Sequence, residues 1–237
     1  SIYLTSNRIL MSWFSEAISS TLGRKLLMAL TGLFLVVFLL VHLIGNFQLL
    51  SNDGGESFNI YAKFMTSNPI IKTTSYILYA TFIIHIVWAI LLSIQNKRSR
   101  PVGYAQTAGS TNSTWSSRNM GILGTFVFIF LVIHLRGFWY EMHWGGIPIA
   151  NYDGVKVKDL YAVVLEAYSQ WWYVALYVVS MILLMFHLAH GFQSAFQTLG
   201  LNHPKYNPVI KAVGIAYAII VPGAFAAIPI LMFIQTL

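Results

Sequence analysis

Five stretches of this chain are each long and apolar enough to cross a bilayer, and no other feature of the sequence limits the fold as strongly. A bilayer core needs about 20 apolar residues per helix. Span I covers 26–47, span II 73–94, span III 120–140, span IV 171–196 and span V 209–234. Only 9% of the 237 residues are charged, against about 25% in a soluble domain. So few charges cannot cover a water-facing surface, which excludes an ordinary soluble enzyme, a nucleic-acid-binding module and a disordered chain. The expected fold class is an all-α membrane protein: one transmembrane domain, 1–237, built as a bundle of five transmembrane helices. Ser51–Asn59 with Asn68-Pro69, Gln95–Arg118, Gly145–Asp153 and Leu201–Pro208 form the connections. Span I starts too late, is too long and lacks a small-residue cleavage site, so it is not expected to be a signal peptide.

The basic residues orient the bundle. With five spans, Arg8, Arg24, Lys25, Lys97, Arg98, Arg100, Arg118, Lys205 and Lys211 share one side, and Lys63, Lys72, Arg136, Lys156 and Lys158 the other. Nine against five places the N-terminus in the cytoplasm. Among the acids only Glu16 is inner, while Asp53, Glu56, Glu141, Asp153, Asp159 and Glu166 are outer. The net charge of +7 is therefore a topology signal, and no nucleic acid is needed to explain it. Trp139, Tyr140, Trp144, Tyr168, Trp171, Trp172 and Tyr173 cluster at the outer ends of spans III and IV, as an interfacial belt or as a wall of a quinone or cofactor pocket.

Ionisable residues inside a membrane are costly and mark functional sites. Five of the seven histidines lie in spans: His42 in I, His85 in II, His134 in III, His187 and His190 in IV. Counted from the inner edge, His42 and His134 stand roughly 24 and 21 Å up, His85 and His190 roughly 14 and 9 Å. Each level is thus served by two helices, and two imidazoles facing across a bundle make a bis-histidine haem site. The chain has no Cys, so any haem is non-covalent and any iron–sulfur chemistry belongs to a partner.

An internal repeat supports the pairing. Gly32, Phe34, Phe38, Leu39 and His42 recur at identical offsets as Gly124, Phe126, Phe130, Leu131 and His134. Each Gly lies about 15 Å below its His, near the inner level, where a missing side chain gives a flat macrocycle room or lets helices pack closely. His187 and His190 compete for the fourth position; Gly191 beside His190 favours the latter, leaving His187 as an alternative ligand, a quinone-side residue or a packed core His. His143 and His203 lie at the outer and inner surfaces.

These residues resemble the cytochrome b membrane anchor of the succinate dehydrogenase/fumarate reductase (complex II) family, in its single-chain, five-helix, two-haem form. The resemblance spans essentially the whole chain: Ser19-Ser20-Thr-Leu-Gly-Arg24-Lys25, then Thr31-Gly32-Leu-Phe34 with His42, one His in each of spans II and III, His190-Gly191 in span IV and a His-free span V. It implies two haems b stacked across a bacterial inner membrane, the outer on His42 and His134 and the inner on His85 and His190. It also implies a flavoprotein subunit with FAD and an iron–sulfur subunit at the cytoplasmic face, and electron transfer to or from a quinone, with a lean to menaquinone.

No carboxylate lies within any span. Asp53, Glu56 and Glu141 at the outer ends are therefore the quinone-site candidates, with the inner face near Ser20, Arg24 and Lys97 as the alternative. Arg136 is a candidate partner for an outer haem propionate, and Arg24 for an inner one; Lys25, Lys97, Arg98 and Lys205 could serve likewise or pair with the partner's acids. Two rivals remain. One is a haem b anchor of a hydrogenase or formate dehydrogenase; the other is a haem-free transporter with coincidental histidines. Cytochrome b of the quinol:cytochrome c type fails, because it places paired histidines on the same two helices.

Overall fold

The computed structural model describes Glu16, residues 20–98 and residues 114–237; Arg8, Ser19 and Arg100, used above for orientation and the entry motif, lie outside the described residues. Five helices are long and apolar enough to cross a membrane. Span I is α1, Thr21–Asn46, continued by a 3-10 turn over Phe47–Leu50. After α2 (Glu56–Ser67) comes span II as α3, Pro69–Arg98. A short α4 (Trp115–Arg118) precedes span III, which is built of α5 (Met120–His134), a π-helical turn (Leu135–Trp139) and α6 (Tyr140–Trp144). Strands β1 (Ile149–Tyr152) and β2 (Val155–Lys158) and helix α7 (Leu160–Tyr168) follow. Span IV is α8, Trp171–Thr198, and span V is α9, Asn207–Gln235.

The helix starts follow from local chemistry. The Ser20 hydroxyl accepts from the Gly23 N–H and caps α1. Asn68 Oδ1 accepts from the Ile70 and Ile71 N–H groups ahead of Pro69, which opens α3. Asp159 caps α7 through the Ala162 N–H. Pro222 and Pro229 lie buried inside α9.

The hairpin departs from the all-α expectation. Val155-Lys-Val-Lys alternates at strand period, and Asp153 and Gly154 both take positive φ, 48° and 88°. That is the paired left-handed geometry a two-residue hairpin turn demands. β1 and β2 pair antiparallel, Ile149 opposite Lys158 and Tyr152 opposite Val155.

Packing sets the order of the helices. α1 packs on α3, α8 and α9; α5 packs on α8 and touches α3 only sparsely; α8 and α9 share the most extensive interface. Hence α1, α3, α5 and α8 form a ring in which α1 stands across from α5 and α3 across from α8, with α9 braced outside against α8 and α1. The Tyr217 hydroxyl of α9 donates to the Val36 carbonyl of α1 and ties that brace. Apolar side chains such as Val37, Ile83, Phe126, Val179 and Ile220 point outward, the surface a lipid-facing bundle presents.

An outer cap of α2, the hairpin and α7 covers one end of the bundle. Its centre is Asn59, fully buried at 0% exposure. Asn59 Nδ2 donates to Tyr152 Oη at 2.9 Å and to Asp159 Oδ1 at 2.8 Å, and its Oδ1 accepts from the Tyr161 N–H at 2.9 Å. Every polar atom of a buried amide is thereby used to hold three elements together.

Candidate functional site

Two layers of residues cross the helix ring. The helix registers define them. α1 and α3 run antiparallel with Gly32 and Thr31 beside His85, and Arg24 and Thr21 beside Gln95. α5 and α8 run antiparallel with Gly124 beside His187 and His134 beside Tyr177.

The outer layer joins His42 of α1 and His134 of α5. Their ring centroids lie 5.8 Å apart and their planes at 90°. Two imidazoles that share one metal ion, each nitrogen about 2 Å from it, have ring centroids about 6 Å apart. Phe38 stacks on His42 at 5.3 Å, Phe225 of α9 lies against it at 5.7 Å, and Phe130 and Phe138 flank His134. His134 Nδ1 lies 3.1 Å from the Tyr177 hydroxyl. A ligand imidazole is commonly fixed in this way, one nitrogen hydrogen-bonded and the other left for the metal.

The π-helical turn begins at the residue after His134. Such turns insert one extra residue per turn and gather at functional sites. Here the turn brings Gly137 under the Tyr173 hydroxyl, where an added Cβ would come within 2.8 Å. It also sets Trp139 Nε1 to donate to Tyr79 Oη at 2.8 Å, which links spans II and III.

The inner layer joins His85 of α3 and His187 of α8, with glycines on the other two helices. A Cβ on Gly32 would stand 3.4 Å from His85 Cε1, and a Cβ on Gly124 would stand 3.7 Å from His187 Cε1. Each His thus lies against a bare stretch of backbone. Thr31 is the polar partner of His85. Thr31 gives its single hydroxyl proton to the Leu27 and Met28 carbonyls, at 2.7 and 3.1 Å. Its oxygen also lies 3.1 Å from His85 Nδ1, a contact that leaves Nε2 as the ring nitrogen not engaged by Thr31. His187 Nδ1 is buried without a hydrogen-bond partner among the described residues.

The structure thus sets His187, not His190, level with His85. His190 falls one turn inward, at the depth of Gly121, and Gly191 faces Met120. The two candidates differ by three residues, hence about 4.5 Å in height and 60° around the helix. The depth count already contained the signal: His187, three residues above His190 on a descending helix, stands roughly 13.5 Å up by the same count, level with His85 at roughly 14 Å.

The outer acids have separate fates. Asp53 accepts from the Gly55 and Ser57 N–H groups, both at 3.0 Å, and the Ser57 side chain and these amides hold its carboxyl below the usual range. With Glu56, Gln48, Ser57, Ile60, Tyr61 and Phe64 it lines an open recess of about 570 Å³ just beyond span I. Burial pushes the Tyr61 hydroxyl up from its ordinary value. Glu141 is not in this recess. It pairs with Arg136, whose guanidinium also lies 4.5 Å from the Tyr140 ring centroid. Arg136, considered above for an outer propionate, is thereby engaged and largely exposed. Arg24 bonds Gln95 Oε1 at 3.5 Å at the inner end. His143 lies tilted against Trp139, ring centroids 4.6 Å apart, and His203 accepts from the Lys205 N–H; neither joins a layer.

Among the described residues no group of three or more His, Asp or Glu gathers as an ion site; the histidines come in pairs. The fold and site define a five-helix membrane bundle with paired histidines at two depths. No family model, curated protein or solved structure matches the chain.

Proposed function

We propose that this chain is the dihaem cytochrome b anchor of a succinate:quinone oxidoreductase or quinol:fumarate reductase, carrying electrons between an iron–sulfur subunit and membrane quinone in a bacterial inner membrane. One observation carries the reading: four helices each place one histidine into the ring, His42 with His134 and His85 with His187, at two levels about 15 Å apart.

When bound, haem b supplies a one-electron carrier at each level. The chain's own residues do the rest. His42 and His134 would hold the outer group, and His85 and His187 the inner one. Thr31 and Tyr177 orient two of the four rings and fix which nitrogen is free. Gly32 and Gly124 leave the inner layer open on the two helices that give it no ligand. Phe38, Phe130, Phe138 and Phe225 keep water from the outer layer.

The recess of Asp53, Glu56 and Tyr61 is the proposed quinone site. It opens a few residues past His42 and combines carboxylates and a phenol with the apolar walls of Ile60 and Phe64. Menaquinone is the favoured quinone. The basic inner ends, with Arg24, Lys97, Arg98 and Lys205, suit a flavoprotein and iron–sulfur pair docked at the cytoplasmic face. Removing the chain from its host membranes tests the reading. Succinate-dependent quinone reduction should vanish while succinate oxidation by a soluble dye persists. Unchanged quinone reduction would overturn it.

A further inference from the structure

Two buried side-chain nitrogens have no hydrogen-bond partner among the described residues: His187 Nδ1 and Trp88 Nε1. His187 belongs to the inner layer. Trp88 belongs to no part of the site yet described. It lies on α3, one turn inward of His85, and in the α1–α3 register it falls at the depth of Ala29, a small buried residue. On α8 the same depth is occupied by His190. One turn inward of the inner layer, α3 therefore carries an indole N–H and α8, across the ring, an imidazole.

An indole nitrogen donates and never accepts. A donor buried without a partner is costly, so a native interior provides an acceptor. The described residues do not supply one here. Every carboxylate of the chain except Glu16 lies at the outer ends or in the outer connections. Lipid headgroups are also remote, because Trp88 sits ten residues, about 15 Å, from the inner end of α3 at Arg98. A bound group can bring the acceptor, and a carboxylate is the strongest acceptor such a donor can find.

We propose that Trp88, with His190 at the same depth, binds the carboxylate edge of the inner haem, so that its propionates point toward the cytoplasmic surface and Trp88 tunes its potential. This rests on the two-haem reading above. A donor on a propionate withdraws negative charge from the ring and favours the reduced state. Losing it should therefore lower the potential of the inner haem alone.

The test uses the purified full-length chain carrying haem labelled with 13C at the propionate carboxyls. Trp88→Phe keeps an aromatic ring and removes the N–H. Both haems should remain. The reduction equilibrium of the inner haem should fall about three- to tenfold, tenfold being 59 mV for one electron. The labelled carboxylate band in the redox infrared difference spectrum should shift, and Trp88→His, which restores a donor, should recover part of both changes. An inner potential and a carboxylate band identical to wild type would overturn the proposal. If Trp88→Phe loses the inner haem, Trp88→His decides: a retained inner haem with a near-native band supports the proposal, and loss in both variants overturns it. A wild-type chain without haem would instead remove the two-haem reading itself.

Discussion

Gly124 of the third span lies against His187 of the fourth, where an added Cβ would stand 3.7 Å from Cε1. Gly32 of the first span stands in the same relation to His85 of the second, at 3.4 Å. The histidines come from one diagonal of the helix ring and the glycines from the other. A methyl group would just touch each ring, and anything longer would collide with it. Gly32→Ala and Gly124→Ala should therefore retain both haems, while Gly32→Leu and Gly124→Leu should lose the inner haem and keep the outer one. Haem content and the two low-temperature α-band components measure this directly.

The second prediction separates the two histidines of the fourth span. His187→Ala should remove the inner haem, because it takes the side chain level with His85. His190→Ala should leave two haems in place and perturb only the inner one, from one turn inward. Redox titration of both variants resolves the components. Two haems retained in His187→Ala with one lost in His190→Ala would reverse the assignment.

Much of this was legible in the sequence, and the exceptions have physical causes. The five spans were visible because twenty apolar residues in a row have few other uses. Pairing His42 with His134 followed from a repeat that fixes equal depth on parallel helices. The choice within span IV was harder, because helix ends read from sequence are uncertain by about two to four residues, or one turn, and Gly191 drew the preference to His190. That error equals the separation of His187 and His190. The hairpin was readable from Asp153-Gly154 and the Val155-Lys-Val-Lys alternation, but so short a strand pair is hidden when the surrounding pattern is helical. The Arg136–Glu141 pair was out of reach. Residues five apart face one another only across a π-helical turn, and periodicity in sequence does not announce that turn.

Thr31 and Tyr177 carry the third prediction. Each bonds the Nδ1 of a layer histidine at 3.1 Å. Removing such a partner from a metal-bound imidazole lowers affinity by about 10- to 100-fold. Thr31→Val should weaken inner haem retention, and Tyr177→Phe outer haem retention, each leaving the other haem unaffected. Haem loss to apomyoglobin, followed at two wavelengths, gives both off-rates.

The fourth prediction concerns the outer cap. Asn59 satisfies the Tyr161 N–H and bonds Tyr152 and Asp159 from a fully buried position. Asn59→Leu strands these groups, at a cost of about 1–3 kcal/mol for each one left unpaired. Hydrogen exchange should accelerate across Ile149–Lys158 and Leu160–Tyr168, with the spans unchanged. Protection equal to wild type in the hairpin would show that the cap is held otherwise.

The central claim is that paired histidines at two depths hold two haems, and the most direct test is the spectrum of the purified chain. A dithionite-reduced minus oxidised spectrum, with haem quantified as the pyridine haemochrome, should show two low-spin b haems per chain. A colourless chain would contradict the account and leave the matched depths of His42 with His134 and His85 with His187 without a function.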